Sequence, residues 1–128
     1  MPTNVRIIRA QDFVRANPQG VLDLAASEKL LADILHAAAS VDDYQVLLDT
    51  RQAITVLNTS DLYYLAQRVF EHAGVFNRRT AVLCPAERFD HARFFAMCTK
   101  SHNLNVRPFT SYEEAMEWLI STEARPWV

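Results

Sequence analysis

Short runs of β-branched and other apolar residues predict five strands along this chain. They cover residues 5–8, 21–24, 45–49, 81–84 and 106–109. We expect the first two strands to pair as a hairpin, because a turn cluster that ends in Gly20 lies just before the second one. Pro108 cannot donate a hydrogen bond to a neighbouring strand, so it predicts an edge position or a strand end for the last run.

Apolar positions three and four residues apart predict four helices between and after these strands. They cover residues 27 to about 39, 59 or 60 to about 73, 90 to about 102, and 111 to about 120. Ser27 is the expected N-cap of the first helix, and Thr59 or Ser60 that of the second. Ser111 and Glu114 have the spacing of a capping box at the start of the last helix.

The alternation of apolar strands with amphipathic helices predicts an α/β fold. We expect a mixed, mainly parallel sheet of about five strands, covered by about four helices. Residues 45–49 and 81–84 should be adjacent central strands, because their continuous apolar character suits strands that are covered on both faces. The 128 residues fit a single domain, residues 1–128, with one proper core.

Composition and charge narrow the class of protein without pointing to a function. Half of the residues are hydrophobic and the formal net charge is −2, which is typical of a globular protein and gives no reason to expect a nucleic-acid partner. No apolar run approaches the roughly 20 residues of a membrane span, which leaves peripheral contact with a membrane open. The N-terminus has no signal-peptide core, and Cys84 and Cys98 are isolated, so we expect buried free thiols and a cytoplasmic location.

The sequence contains none of the local motifs that carry common enzyme chemistry. The glycine-rich phosphate-binding patterns and the nucleophile-elbow pattern are absent. The histidines at positions 36, 72, 91 and 102 lack the spacing of a metal site. We therefore expect a protein that binds rather than catalyses, with no metal and no cofactor.

Asp49, Thr50 and Arg51 follow the predicted central strand, at the end where open α/β sheets place their ligands. Arg51 could hold a carboxylate or a phosphate as a fork. Alternatively, Asp49 and Arg51 brace the following loop and bind nothing. We take these three residues as candidates for binding a ligand or a partner.

The segment of residues 52–59 is apolar but lacks the helical period of its neighbours. Ile54, Val56 and Leu57 could fill the edge of the core. If they are exposed, they form a contact patch together with Asn58, and a ligand or a partner would bind there.

Two tryptophans near the C-terminus add to this apolar surface. Trp127 lies beyond the last predicted helix, where an indole gains most by docking on a surface or a partner. Together with Trp118 and with Ile54, Val56 and Leu57, it exceeds what a domain of this size must expose. We therefore expect a homodimer.

The start of the second predicted helix offers backbone donors to an anion. Thr59 and Ser60 lie there, and a phosphate carried on either hydroxyl would gain hydrogen bonds from these donors. A plain N-cap explains the same residues without any further function.

The strand–loop–helix unit of residues 46–65 resembles the STAS domain, in its SpoIIAA-like branch. Residues 80–85 and 107–119 are similar to the last strand and the closing helix of that branch, and the order of elements over residues 5–120 also fits. The resemblance implies a non-enzymatic regulatory module that acts through protein–protein interaction. The branch contains small, largely uncharacterised bacterial proteins and has a fold likeness to the CRAL-TRIO lipid-binding domain. The alternative function that it implies is a carrier or sensor of a small apolar or lipid-like ligand.

The resemblance also implies a phosphorylation site. In anti-sigma factor antagonists, an Asp-Ser-Ser-Gly pattern at the start of this helix is phosphorylated by an anti-sigma kinase. Asn58, Thr59, Ser60 and Asp61 occupy that place, with Ser60 on the phosphorylated serine. This sequence has Asn58 where the family pattern has aspartate, and Asp61 where it has glycine. The Asp61 carboxylate would repel a phosphoryl group beside it. Ser60 is the residue that this resemblance marks for modification, with Thr59 as its neighbour.

Overall fold

A computed structural model of the protein describes residues 3–8, 13–38, 45–72, 79–101 and 104–120. The strands are β1 (Thr3–Ile8), β2 (Phe13–Pro18), β3 (Gly20–Leu22), β4 (Gln45–Asp49), β5 (Ala53–Thr55), β6 (Thr80–Leu83) and β7 (Val106–Phe109). The helices are α1 (Leu24–Ala38), α2 (Thr59–Glu71), α3 (Phe89–Lys100) and α4 (Tyr112–Ile120), and a 3₁₀ turn (Ala86–Arg88) leads into α3.

The main sheet contains five strands in the order β1-β2-β4-β6-β7. Strands β2, β4, β6 and β7 run parallel to one another, and β1 pairs antiparallel with β2 at one edge. As predicted, β4 and β6 are adjacent inside the sheet, and β7, which carries Pro108, lies at the other edge. The α/β class and the mixed, mainly parallel sheet are confirmed, with four helices in the described part of the chain.

The N-terminal hairpin differs from the predicted one, because β1 pairs with residues 13–18, which the pattern assigned in part to a turn. Along β2 the buried residues Val14 and Ala16 alternate with the half-buried Arg15 and Asn17, so a strand period is present but is obscured by short and polar side chains. The turn comes later, at Gly20. Its φ of 83° lies in the left-handed region, which glycine adopts without a steric cost.

β3 and β5 form a separate two-stranded parallel sheet. Val21 lies opposite Ile54, and Leu22 lies opposite Thr55. The prediction that residues 21–24 pair with the first strand is therefore wrong. β2 occupies that position, and β3 ends at Leu22 because the chain enters α1 at Leu24.

The helix starts depart from the sequence prediction at α1 and agree with it at α4. Asp23 caps α1, since its Oδ1 accepts the backbone N–H of Ala26 at 2.8 Å. Ser27, the predicted cap, lies instead in the first turn of α1 and is buried. At α4 the predicted cap is confirmed, because the Ser111 hydroxyl accepts the backbone N–H of Glu114 at 3.3 Å.

The helices divide between the two faces of the sheet. α1, α2 and α3 cover one face, where Val46 of β4 and Val82 of β6 enter the larger core. α4 covers the other face, where Leu47 and Leu83 enter a smaller core. Because successive side chains of a strand point to opposite faces, neighbouring residues at the end of β4 lie on different sides of the sheet.

Candidate functional site

Asp49 ends β4 on the α4 side of the sheet, and its side chain is only 2% exposed. Arg51 donates three hydrogen bonds to it, from the backbone N (3.1 Å) and Nε (3.0 Å) to Oδ1 and from Nη2 to Oδ2 (2.9 Å). The Nη2 atom of Arg15, on β2, lies 3.4 Å from Oδ2. The Arg15 guanidinium also lies over the ring of Tyr112, 5.8 Å from its centroid. These contacts form a closed ion cluster at the carboxyl end of β4.

The electrostatics of this cluster keep both main partners charged. Burial alone would raise the pKa of the Asp49 carboxyl group, but the hydrogen bonds and charge of Arg51, with the charge of Arg15, lower it below the ordinary 3.8. The hydrogen bond to Asp49 raises the pKa of Arg51 in turn. The Nε and Nη2 groups of Arg51, which would hold an external anion, already donate to Asp49. This geometry matches the interpretation of the pair as a loop brace.

Thr50 lies on the opposite side of the sheet from Asp49. Both its backbone N–H (2.8 Å) and its hydroxyl (2.9 Å) donate to the carbonyl oxygen of Leu83. Thr50 is buried and lines a cavity under α1, α2 and α3. The structure therefore does not bring Asp49, Thr50 and Arg51 together as one site.

The predicted contact patch is also divided. Ile54 is 62% exposed and Val56 is 53% exposed, and Val21 beside Ile54 adds a third apolar side chain to the surface. Leu57 turns inward and lines the same cavity as Thr50. Trp118 belongs to neither group, because its ring packs against Phe109 with 5.6 Å between centroids. Trp127 lies outside the described residues.

The start of α2 is capped one position earlier than predicted. The Asn58 side chain accepts the backbone N–H of Asp61 at 2.8 Å, and the Asp61 carboxylate accepts the backbone N–H of Asn58 at 3.2 Å. The prediction of Thr59 or Ser60 as the N-cap is therefore wrong. Both are exposed residues of the first turn of α2, and phosphorylation of Ser60 stays a prediction.

A cavity of about 140 Å³ lies between the sheet and helices α1, α2 and α3. Apolar side chains form most of its wall, among them Ile34 from α1, Leu65 and Val69 from α2, and Phe95 from α3. On the sheet side it extends along β4 from Val46 past the strand end to Thr50. Four strand residues correspond to about 13 Å, so the cavity follows the length of the central strands.

Several polar groups line this apolar cavity. The hydroxyls of Ser27 and Thr80 are buried without a hydrogen-bond partner in the described part of the chain. The Cys84 thiol donates to the carbonyl oxygen of Phe109 at 3.6 Å. Burial raises the pKa of this thiol, which therefore stays protonated at neutral pH and is a poor nucleophile.

Arg88 and His91 lie at the more exposed end of the cavity. Neither residue is among the site residues predicted from the sequence. A signal was available, because the turn of residues 85–88 follows the buried strand β6 directly. Ligands of open α/β sheets bind at the carboxyl ends of parallel strands, and this applies to β6 as it does to β4, which ends at Asp49.

The comparisons with known proteins bear on the fold. Five solved protein chains match this one. One is an uncharacterised protein of the DUF3478 family from Shewanella loihica PV-4, described as having a SpoIIAA-like fold. The match covers 92% of each chain with a TM-score of 0.63 at 15% sequence identity. The SpoIIAA-like fold that the sequence resemblance implied is therefore confirmed. No family model and no curated protein matches the chain.

None of the described helices is both long and apolar enough to cross a membrane. Among the described residues, no three histidine, cysteine, aspartate or glutamate side chains group in a way that could hold a metal ion.

Proposed function

We propose that the protein is a binding module that takes a small apolar molecule into the cavity between its sheet and helices α1–α3. The observation that carries this proposal is the cavity, with a volume of about 140 Å³ and a largely apolar wall. The cavity is partly open to solvent, so a ligand can enter it from outside. In another protein, an engineered apolar cavity of about 150 Å³ stays dry and binds benzene. This cavity has room for a six-carbon ring.

The same volume limits the class of ligand. A phospholipid or a long-chain fatty acid is several times larger than benzene, so only a part of such a molecule would fit. We therefore favour a small ligand over a lipid of full length. Binding is favoured over catalysis because the Cys84 thiol stays protonated and the Ser27 and Thr80 hydroxyls contact no base in the described residues.

Toluene and cyclohexane are suitable probes for the test, because each matches the cavity in size. We expect amide NMR shifts confined to residues around the cavity. We also expect a stabilisation that reaches about 2.7 kcal/mol at 100 times the dissociation constant. Ala92→Leu should abolish both effects, since Ala92 lines the cavity and the larger side chain fills it.

Ala86→Leu is the matched control, because Ala86 is exposed on the 3₁₀ turn before α3. It should bind both probes as the unaltered protein does. Binding that persists in Ala92→Leu would place the ligand elsewhere. If neither probe shifts the spectrum of the unaltered protein, the proposal is wrong.

A second candidate function is self-association through the exposed side chains of Val21, Ile54 and Val56 on the β3–β5 sheet. The occupant we infer is a second copy of the chain. In the described residues β3 and β5 pair only with each other, so each has an outer edge where the same strand of another copy can add. Three apolar side chains are few beside the 20–30 residues a side of a stable interface, so the dimer should be weak.

Sedimentation velocity at high micromolar concentration tests this candidate. Ile54→Ser should shift the equilibrium towards the monomer, whereas Tyr63→Ser should not, because Tyr63 is 57% exposed but lies on α2. A monomeric unaltered protein, or equal effects of the two substitutions, would contradict it.

A further inference from the structure

The cavity has a cationic side chain at its more exposed end. Arg88 closes the 3₁₀ turn after β6 and lines the cavity. Its Nη1 donates to the Thr55 hydroxyl at 3.0 Å, and its Nη2 donates to the Thr50 carbonyl oxygen at 3.2 Å. Two strand ends therefore hold the guanidinium in place. A guanidinium has five N–H donors, and the described residues accept from two of them, which leaves three for another acceptor.

The partners of Arg88 are both neutral. The ion pairs of the described residues involve other cations, among them Arg15, Arg51 and Arg68, and none includes Arg88. Arg88 is nonetheless half-buried, at the edge of an apolar cavity. A cation in such a place gains most from an anion that arrives with its own apolar body, because the pair then forms away from bulk water.

Two further features of this end suit an anion. α3 begins at Phe89, and its N-cap residue Arg88 makes no side-chain capping bond, so the positive end of the helix starts at the residue that supplies the guanidinium, although Asp90 in the first turn offsets part of it. Ser27 is 7% exposed, and its hydroxyl lines the cavity without a partner among the described residues. α1 starts directly after β3, which pairs with β5, so Ser27 lies near the same end of the sheet as Thr55.

We infer that the ligand is a small carboxylic acid, and this inference rests on the proposed function. Its apolar body, of about six carbons by comparison with benzene in a cavity of similar size, fills the space under α1–α3. Its carboxylate accepts hydrogen bonds from the Arg88 guanidinium at the mouth. Benzoate, cyclohexanecarboxylate and hexanoate have this form.

The test compares acids with neutral molecules of the same shape. Dissociation constants for benzoate, benzyl alcohol and toluene are measured by NMR titration at neutral pH. We expect the unaltered protein to bind benzoate at least about tenfold more tightly than benzyl alcohol, the factor given by one charge-assisted hydrogen bond. Arg88→Met should remove this preference, because methionine keeps an apolar stem at the mouth but cannot donate a hydrogen bond to a carboxylate.

Arg93→Met is the matched control, because Arg93 is an exposed arginine of α3, the helix that follows Arg88, and does not line the cavity. It should keep the preference for benzoate. The ligand series on the unaltered protein decides the question even if Arg88→Met fails to fold. Toluene binding without a preference for benzoate would overturn the inference and leave the proposed function standing. A protein that binds none of the three would overturn both.

Discussion

Replacing Asp49 with alanine should lower the free energy of unfolding by about 2–3 kcal/mol. The carboxylate accepts three hydrogen bonds from Arg51 and lies 3.4 Å from Arg15. Hydrogen bonds to charged groups are worth about 1.5–3 kcal/mol each, but bonds that share one acceptor are not additive. The full cost of breaking a buried pair does not apply, because the Arg51 and Arg15 side chains are 41% and 29% exposed and can turn to water.

Replacing Arg51, the main partner of Asp49, should lower the free energy of unfolding by at least as much. Arg51→Ala removes both guanidinium donors and leaves a carboxylate that is 2% exposed with the backbone N–H of residue 51 at 3.1 Å and one long contact to Arg15. A buried carboxylate that loses its charged donors has no route to water, whereas an exposed guanidinium does. The double variant should therefore cost less than the sum of the single variants, by at least about 1 kcal/mol.

Urea unfolding at neutral pH measures these free energies. Lys29→Ala is the control, because it breaks an exposed pair with Asp33 in which the Lys29 side chain is 68% exposed. We expect it to cost less than about 0.5 kcal/mol. If Asp49→Ala is as stable as this control, or if the losses of the two single variants add up to that of the double variant, Asp49 and Arg51 do not brace the loop. Arg51 would then again be a candidate for binding an external anion.

The pH dependence of stability follows from the lowered pKa of Asp49. A carboxyl group whose folded-state pKa is lowered stabilises the protein fully above its unfolded pKa, and this contribution is lost as the pH falls through the folded value. The loss should therefore begin near the ordinary 3.8 and continue below it. Asp49→Asn should flatten the stability profile in this acid range relative to the unaltered protein, as followed by urea unfolding at stepped pH. An unchanged profile would show that Asp49 is not the group responsible.

Two further pairs of substitutions test the cavity and the helix cap. Ala92→Leu should keep or raise the melting temperature because the cavity receives the added carbons, whereas Ala96→Leu, one turn further along α3 and equally buried, should cost about 1–3 kcal/mol by overpacking. Equal losses would mean that the cavity cannot accept the side chain. Asn58→Ala should cost about 1 kcal/mol through the lost cap, and Ser60→Ala less than about 0.5 kcal/mol, both measured by thermal unfolding. A larger loss in Ser60→Ala would assign it a structural role that its exposure does not suggest.

Much of the fold was predictable from the sequence because the central strands and the helices have strong patterns. β4 and β6 are continuously apolar since both of their faces are covered, and the helices keep their apolar positions three and four residues apart. β2 and β5 were missed for a physical reason. β2 carries arginine and asparagine on its half-buried side, and β5 has only three residues, too few for a period to be visible.

The candidate site was less predictable, because a cavity depends on how side chains fill a space. Leu65, Val69 and Phe95 line the cavity, but their spacing is the same as that of residues in a filled core. The ion cluster was easier to anticipate. Asp49 and Arg51 are two residues apart at a strand end, and local geometry is enough to bring them together.

The ion cluster around Asp49 and the cavity that Thr50 lines both lie at the end of β4, but on opposite faces of the sheet. Asp49 faces α4 and Thr50 faces the cavity, because adjacent residues of an extended chain point in opposite directions. The rule that ligands bind at the carboxyl ends of parallel strands therefore identifies the correct end of the sheet but does not identify the face. The face is decided by charge and packing. On the α4 side the Asp49 carboxylate neutralises the nearby guanidiniums, whereas on the cavity side Arg88 donates to two neutral oxygens of the described residues beside space for a ligand.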